Sequence, residues 1–369
     1  MKQILYFMHV DWNWIKQRPH FLAEGLSQFY KVNVWHERVF VGKRRLINNP
    51  KVVSPNLSVN CIKRLPYSRF WIIYHINAFI NKIILRSYYK NADIIWVPSP
   101  LYFPYYKKSK KQIVVYDCMD DMLGFDMTAS IKKRIKNYEK RLIDQANIII
   151  ASSDYLRKTL IKRYDILKSI EVINNAIFLH IQQGENHQLP DQFAELFKDK
   201  STKKIVYIGT ISKWFDFDLI LESLKQNDKI EYLLFGPCEI EIPLHTRIKA
   251  LGAIEHKYVL SIMQNADCLV MPFVVTELIK SVNPVKAYEY IYACKPTVLP
   301  AYEETEKFEK FVYLYHSSKE YIQLLSNLIS TSLPLKCSRD EHCNFALTNT
   351  WEKRIEEINR LFIKHEENK

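Results

Sequence analysis

The sequence predicts an α/β protein of two domains, each a largely parallel sheet covered by helices. Three observations carry this. Short strand-like apolar runs alternate with longer helical patterns along the chain, as in sheets wound by crossover helices. The alternation lapses once near the middle and then resumes. A chain of 369 residues, 48% of them hydrophobic, also holds more apolar material than one ordinary core.

The first alternation places strands at 4–10, 31–36, 58–62, 92–97, 113–117, 147–151 and 170–173, with helices at about 17–29, 70–89, 130–145 and 153–164. From about 178 to 203 strand character gives way to Gln, Asn, Pro and Lys, the composition of a connection between domains. The second alternation has strands at 204–211, 230–235, 252–255, 267–273, 297–300 and 312–316. Its helices start at Phe217, Tyr258, about Asn283, Ser318 and about Thr350. The expected division is therefore a first domain at 1–185, a linker at 186–203, a second domain at 204–345 and a C-terminal helix at 346–369 returning to the first.

The net charge of +13 belongs to one half: residues 1–185 hold 30 Lys and Arg against 14 Asp and Glu, while 186–369 hold 23 against 26. An anionic partner is expected for the first half. No zinc-ligand spacing, helix-turn-helix pattern or RNA-binding signature accompanies that charge, so nucleic acid is not the expected partner. The seven cysteines, at 61, 118, 238, 268, 294, 337 and 343, form no C-x-x-C pair, which disfavours a disulfide framework or a metal site. The longest apolar stretch, 70–85, is broken by His75, Asn77, Asn81 and Lys82 and falls short of a membrane span. The opening MKQILYFMHV reads as a first strand rather than a signal peptide, giving an expected cytoplasmic location.

The run Ser281-Val282-Asn283-Pro284-Val285-Lys286-Ala287-Tyr288-Glu289 follows a strand-like DCLVMPF and opens a helix. Pro284 fits a first helical position after Asn283 as N-cap. Free N–H groups at such an end attract phosphate, and Lys286 adds a full positive charge. Glu289 is placed to accept hydrogen bonds from a ribose diol. Gly209 and Gly236 follow the strand-like IVYI and YLLF, where a backbone must turn tightly or approach a ligand closely. Lys213 is the available cation after Gly209.

In the first half, Asp11-Trp12-Asn13-Trp14 ends a strand and Gln17-Arg18-Pro19-His20 opens a helix, the place where open α/β sheets bind ligands. Arg18 can clamp a phosphate or carboxylate. Asp117 and Asp120, in Tyr116-Asp117-Cys118-Met119-Asp120-Asp121, end another strand and can take a hydroxyl proton, bind sugar hydroxyls or hold a divalent ion. Basic residues flank Tyr67 and Trp71 beside apolar positions 72, 76, 79, 80 and 83. With Lys107, Lys108, Lys110, Lys111 and the 132–136 cluster, this suits either an anionic membrane surface or a buried helix with a solvated rim.

These runs together resemble the glycosyltransferase-B superfamily, in the group called family 4. The similarity is strongest to teichuronic acid and capsular polysaccharide glycosyltransferases, through Trp12…Gln17-Arg18-Pro19, the 116–121 run and Gly209…Trp214-Phe215-Asp216. The resemblance implies two Rossmann-like domains facing across a cleft and a nucleotide-diphosphate sugar, such as a UDP- or GDP-sugar, as co-substrate. It further implies a glycan or lipid-linked acceptor, retention at the anomeric carbon, and no metal or other cofactor. It assigns Gly209, the backbone near Tyr258 and Glu289 to the donor; joined to the readings of the residues themselves, the expected donor site is Gly209, Lys213, Tyr258, Ser281, Asn283, Pro284, Val285, Lys286 and Glu289, the acceptor site Asp11, Trp12, Arg18, Asp117 and Asp120, and the catalytic group Asp117, Asp120 and Lys286. Of the two glutamates the group carries on its donor helix, Glu289 matches the second, and Ser281 stands at the first. A nucleotide-sugar epimerase, a basic binding protein and an inactive scaffold of the same fold are the competing readings.

Overall fold

The computed structural model describes residues 1–39, 51–178 and 189–367. The chain divides into two compact units, one formed by Met1–Asn175 with Trp351–Lys369 and the other by Ala176–Thr350.

The first unit contains strands β1 (Gln3–Met8), β2 (Lys31–Val39), β3 (Lys51–Ser54), β4 (Leu57–Arg64), β5 (Ile94–Val97), β6 (Ile113–Cys118), β7 (Ile148–Ala151) and β8 (Glu171–Val172). Its first helices are α1 (Arg18–Leu26), α2 (Trp71–Ile84), α3 (Arg86–Asn91), α4 (Ala129–Gln145) and α5 (Asp154–Tyr164). The sheet order is β3-β4-β2-β1-β5-β6-β7-β8, parallel except for the β3–β4 pair at one edge. Strands such as β5 and β7 are buried at every position, as a sheet covered on both faces requires. Successive strands run outward from β1 in one direction and then, from β5, in the other, so the topological switch point lies between β1 and β5.

The second unit contains β9 (Lys203–Ile208), β10 (Ile230–Phe235), β11 (Ile248–Gly252), β12 (Cys268–Val270), β13 (Thr297–Pro300) and β14 (Tyr313–Tyr315). Its helices are α6 (Asp191–Ala194), α7 (Phe217–Gln226), α8 (His256–Asn265), α9 (Glu277–Lys280), α10 (Val285–Tyr292), α11 (Glu303–Glu306), α12 (Ser318–Ser330) and α13 (Arg339–Thr348). The six strands, in order β11-β10-β9-β12-β13-β14, are all parallel. The switch point here falls between β9 and β12.

The last helix, α14 (Trp351–Glu367), returns to the first unit. Trp351 stacks on Phe21 at 5.1 Å and Phe362 meets Tyr30 and Trp96 edge-on. Gly25 of α1 admits this approach: a Cβ there would lie 2.5 Å from Ile355 Cγ1.

Three stretches differ from the expectation. The helix expected at 70–89 is two, because the chain bends at Leu85 (φ −81°, ψ 0°). The strand expected at 252–255 lies earlier, at Ile248–Gly252, and ends where Gly252 turns into the left-handed region at φ +70°. Of the expected linker, 186–188 lie outside the described residues, as does 179–185 before it. Within the remainder, Phe193 packs edge-on against Phe235 and Phe197 is buried in the second core. Two phenylalanines at i and i+4 share a helical face, a pattern that the surrounding polar residues conceal.

Candidate functional site

In the second unit the carboxyl ends of three adjacent strands are laced together through glycines. Gly209 N–H donates to Phe235 O at 2.8 Å and Gly236 N–H to Gly252 O at 2.7 Å. Gly236 has φ +137°, and a Cβ there would sit 2.0 Å from Gly209 O. No other residue fits without moving that backbone. Past Gly209, the loop crosses the switch point. Asp216 N–H donates to Pro272 O and Val274 N–H to Trp214 O, at 2.8 and 2.9 Å, strapping the loop to the segment after β12. Phe215 is buried against Tyr207, Phe217 and Phe273, and Asp216 caps α7 through Leu219 N–H. Lys213 lies exposed on this strap.

Helix α10 is tied to the same edge. The hydroxyl of fully buried Tyr290 accepts from Ile208 N–H at 2.9 Å, one residue before Gly209. The helix begins at Val285 with Pro284 as N-cap, which corrects the expected start by one residue. Asn283, rather than capping by the expected route, is buried with its amide donating to Glu304 at 3.0 Å and accepting from Tyr288. Glu304 is itself fully buried and receives Lys307 at 2.8 Å. On the first turns of α10, Lys286 Nζ and Glu289 Oε2 pair at 2.6 Å. The two groups assigned separately to phosphate and ribose are thus held together as a partly accessible ion pair. Ser281 is fully buried with its hydroxyl donating to Leu278 O at 2.6 Å. A side chain sealed in this way cannot touch a sugar, so its assignment to the donor is withdrawn. Tyr258 is half-buried in the first turn of α8, beneath the Lys257 ammonium at 4.8 Å.

In the first unit, Arg18 and Asp117 neutralise each other inside the protein. Arg18 Nη2 lies 2.9 Å from Asp117 Oδ1, Nε donates to Oδ2, and Nη1 donates to Ile173 O at 2.7 Å. Asp117 is wholly buried and Arg18 almost so. Neither is available as an acceptor clamp or a base, because both are buried and each is committed to the other. Asp11 is bound by Arg38 and by Asn13 N–H, and the Arg38 hydrogen bond holds its carboxyl far below the usual range. Trp12 is half-buried, its ring tilted over His20 at 5.3 Å.

Asp120 is different. It is partly accessible, and no side-chain hydrogen bond or ion pair engages its carboxyl among the described residues. Burial raises its pKa to about 6, with Arg18 opposing and Asp117 and Asp121 reinforcing the rise. Asp121, by contrast, is held bidentately by Arg163 at 2.8 and 2.6 Å.

A cavity of about 370 Å³ opens nearby in this unit, with His9, Ser99 and Met122 contributed from beyond β1, β5 and β6. It is thus built at the carboxyl side of the first sheet's switch point. Arg64, Arg69 and Arg134 line it with Glu37, Tyr74 and Tyr102.

Comparison with known proteins agrees with this architecture. The chain aligns over its whole length with a sucrose-phosphate synthase from Thermosynechococcus elongatus, at TM-score 0.75 and 13% identity with both chains fully covered. It aligns with the E. coli trehalose-6-phosphate protein bound with UDP-2-fluoro glucose at TM-score 0.73 and 13% identity, covering 97% and 98% of the two chains. The fold is glycosyltransferase-B. HepE of Anabaena, solved in complex with UDP and glucose, is a further neighbour, at TM-score 0.71 and 13% identity over 98% and 99%. In sequence, the chain is 28% identical over 217 residues to TuaH of Bacillus subtilis (strain 168), provisionally named a teichuronic acid biosynthesis glycosyltransferase. That match spans 55% of this chain and about half, 54%, of the relative. No family model matches.

Within the glycosyltransferase-B fold, the residues that hold the α10 region in place went unread in the sequence. Tyr290 and Glu304 position it, yet a tyrosine inside a helix and a glutamate in EETE carry no local signal. Arg64 and Arg69, from one segment, meet Arg134 from another far along the chain; both basic stretches were visible in the sequence, their meeting at one cavity was not.

Proposed function

We propose that this protein transfers a sugar from a nucleoside-diphosphate sugar to a hydroxyl of a cell-envelope glycan or lipid-linked acceptor. The observation that carries the reading is the docking of α10, with its Lys286–Glu289 pair, against the glycine-laced end of β9 at the second sheet's switch point. The positive N-terminal end of α10 and Lys286 stabilise charge on a departing diphosphate where it develops. Glu289 then accepts from the ribose, and Lys286 shifts from its carboxylate towards phosphate. UDP or UDP-sugars accompany two of the fold's neighbours, and the TuaH name points to an envelope polysaccharide.

In the reaction, the acceptor oxygen bonds to the anomeric carbon as the bond to the diphosphate oxygen breaks, and the acceptor proton must be removed. Asp120, raised to about 6 and without a committed partner, is the group suited to assist that proton. We assign retention at the anomeric carbon, metal-independent diphosphate binding and a cytoplasmic location as parts of the same reading. The test is a thermal-shift screen of UDP, GDP and their sugars. One nucleotide should raise the melting temperature, and Glu289→Ala should abolish the rise. An undiminished shift in that variant removes Glu289 from the site; no shift with any nucleotide overturns the reading.

A further inference from the structure

Helix α2 is built inside out. Its buried residues are Tyr74, Asn77, Ala78 and Asn81, whereas Ile72, Ile76, Phe79 and Ile83, spaced as one stripe, are 61%, 44%, 67% and 57% exposed. Trp71 and Phe70 extend the stripe, at 65% and 53% exposure. Two buried amides seat the helix beside Ala78 and the Tyr74–Tyr138 ring pair. Asn77 receives Leu65 N–H at 2.8 Å and donates back to Leu65 O, and Asn81 donates to Glu37 at 3.0 Å. The apolar face therefore has a use other than packing in its own unit.

On the other side of the same helix lies the 370 Å³ cavity, lined by Tyr74 and Asn77 of α2. Of its three arginines, Arg64 faces Glu37 at 3.9 Å and bonds Ser68. Arg69 and Arg134 have no carboxylate within ion-pair distance among the described residues. They rest on Phe70 and Tyr74 at 5.0 and 4.3 Å. Two guanidinium groups held on aromatic rings over a cavity with one carboxylate form a receptor for an anion. The basic excess of residues 1–185 surrounds it with the same sign.

An exposed apolar stripe and an arginine-lined cavity, on two sides of one helix, match an amphiphile with an anionic head. We propose that this surface docks on a membrane and draws the phosphate of a lipid headgroup into the cavity, with the α2 stripe lying in the headgroup–acyl boundary. Taking that lipid as the acceptor rests on the transferase reading; the docking itself does not.

The experiment is co-sedimentation of the full chain with phosphatidylcholine vesicles, with and without phosphatidic acid. Binding is expected to the phosphatidic acid vesicles. Arg69→Gln with Arg134→Gln should weaken it about 25-fold, roughly fivefold for each cation removed. Phe79→Ser with Ile83→Ser should abolish it while leaving the melting temperature unchanged, since both side chains are exposed. Failure of the wild type to bind overturns the proposal, as does an unweakened arginine variant. Complete displacement by millimolar inorganic phosphate would mark a free-phosphate site, and a dimer that the serine variant converts to monomer would assign the stripe to a second copy; either result also overturns it. Vesicle binding needs no sugar nucleotide. A protein that binds vesicles but no nucleotide therefore sinks the transferase reading alone, and the reverse result sinks this one alone.

Discussion

Replacing Asp117 tests whether the Asp-rich end of β6 is divided between support and chemistry. Asp117→Ala leaves the Arg18 guanidinium, buried beside the sheet, with Ile173 O and Asn175 Oδ1 as its hydrogen-bond acceptors among the described residues. Removing one member of a buried ion pair costs about 3–5 kcal/mol, mostly from stranding the other charge. For a unit of this size each kcal/mol lowers the melting temperature by roughly 2–4 °C, so a fall of about 6–20 °C is expected. Asp117→Asn keeps an acceptor oxygen towards Arg18 and should lose less. Asp120→Asn should match the wild type in stability at low pH, exceed it above about pH 6 where the wild-type carboxyl is ionised, and suppress transfer. The assay is paired calorimetry and product formation from the donor found by thermal shift. If Asp117→Ala melts with the wild type yet loses turnover, the pair is not structural and Asp117 returns to the catalytic group. If Asp120→Asn retains full turnover, Asp120 is not the base.

Two further outcomes follow from the geometry. With a carboxyl pKa near 6, transfer should rise through about pH 6 as Asp120 loses its proton. Because the folded pKa lies above the unfolded one, this residue's contribution to stability is greatest at low pH and declines as pH rises from about 4 to 6; Asp120→Asn should remove both dependences, and a rate limb that persists in the variant assigns it elsewhere. Gly236→Ala should destabilise the second unit by about 2–4 kcal/mol, because its Cβ meets backbone 2.0 Å away and its φ is +137°. Urea denaturation reads this directly, and an unchanged midpoint would mean that the strand ends part without cost.

Much of the architecture was legible because buried parallel strands announce themselves. IIWV, IVVYDC and IEYLLF are short runs rich in β-branched and other apolar residues, with single acids at Asp117 and Glu231, and each became a strand buried along its whole length. The edge strand KVVS, mostly exposed, lacked that signal. The donor edge was partly legible: glycines after strands and a proline-led helix mark backbone conformations, which local sequence encodes. Which side chains would be free was not. Ser281, Arg18 and Asp117 were read as ligand-facing because of their chemistry, yet all three are buried, Arg18 and Asp117 against partners distant in the chain and Ser281 with its hydroxyl on the nearby Leu278 carbonyl. The orientation of α2 was equally hidden. Its pattern is amphipathic in either direction, and the anchoring of Asn77 and Asn81, with Tyr74 and Ala78 on the same face, decides which side turns inward.

The return of α14 makes the first unit from both ends of the chain, with the second unit inserted as one continuous stretch. During synthesis, Phe21 and Trp96 leave the ribosome some 250 residues or more before their partners Trp351 and Phe362 exist. The later-made 176–350 segment can therefore complete its core first, while the earlier-made sheet waits with aromatic surface uncovered. The usual order of domain maturation is reversed, and the interval before α14 arrives is when the nascent chain has most need of a chaperone.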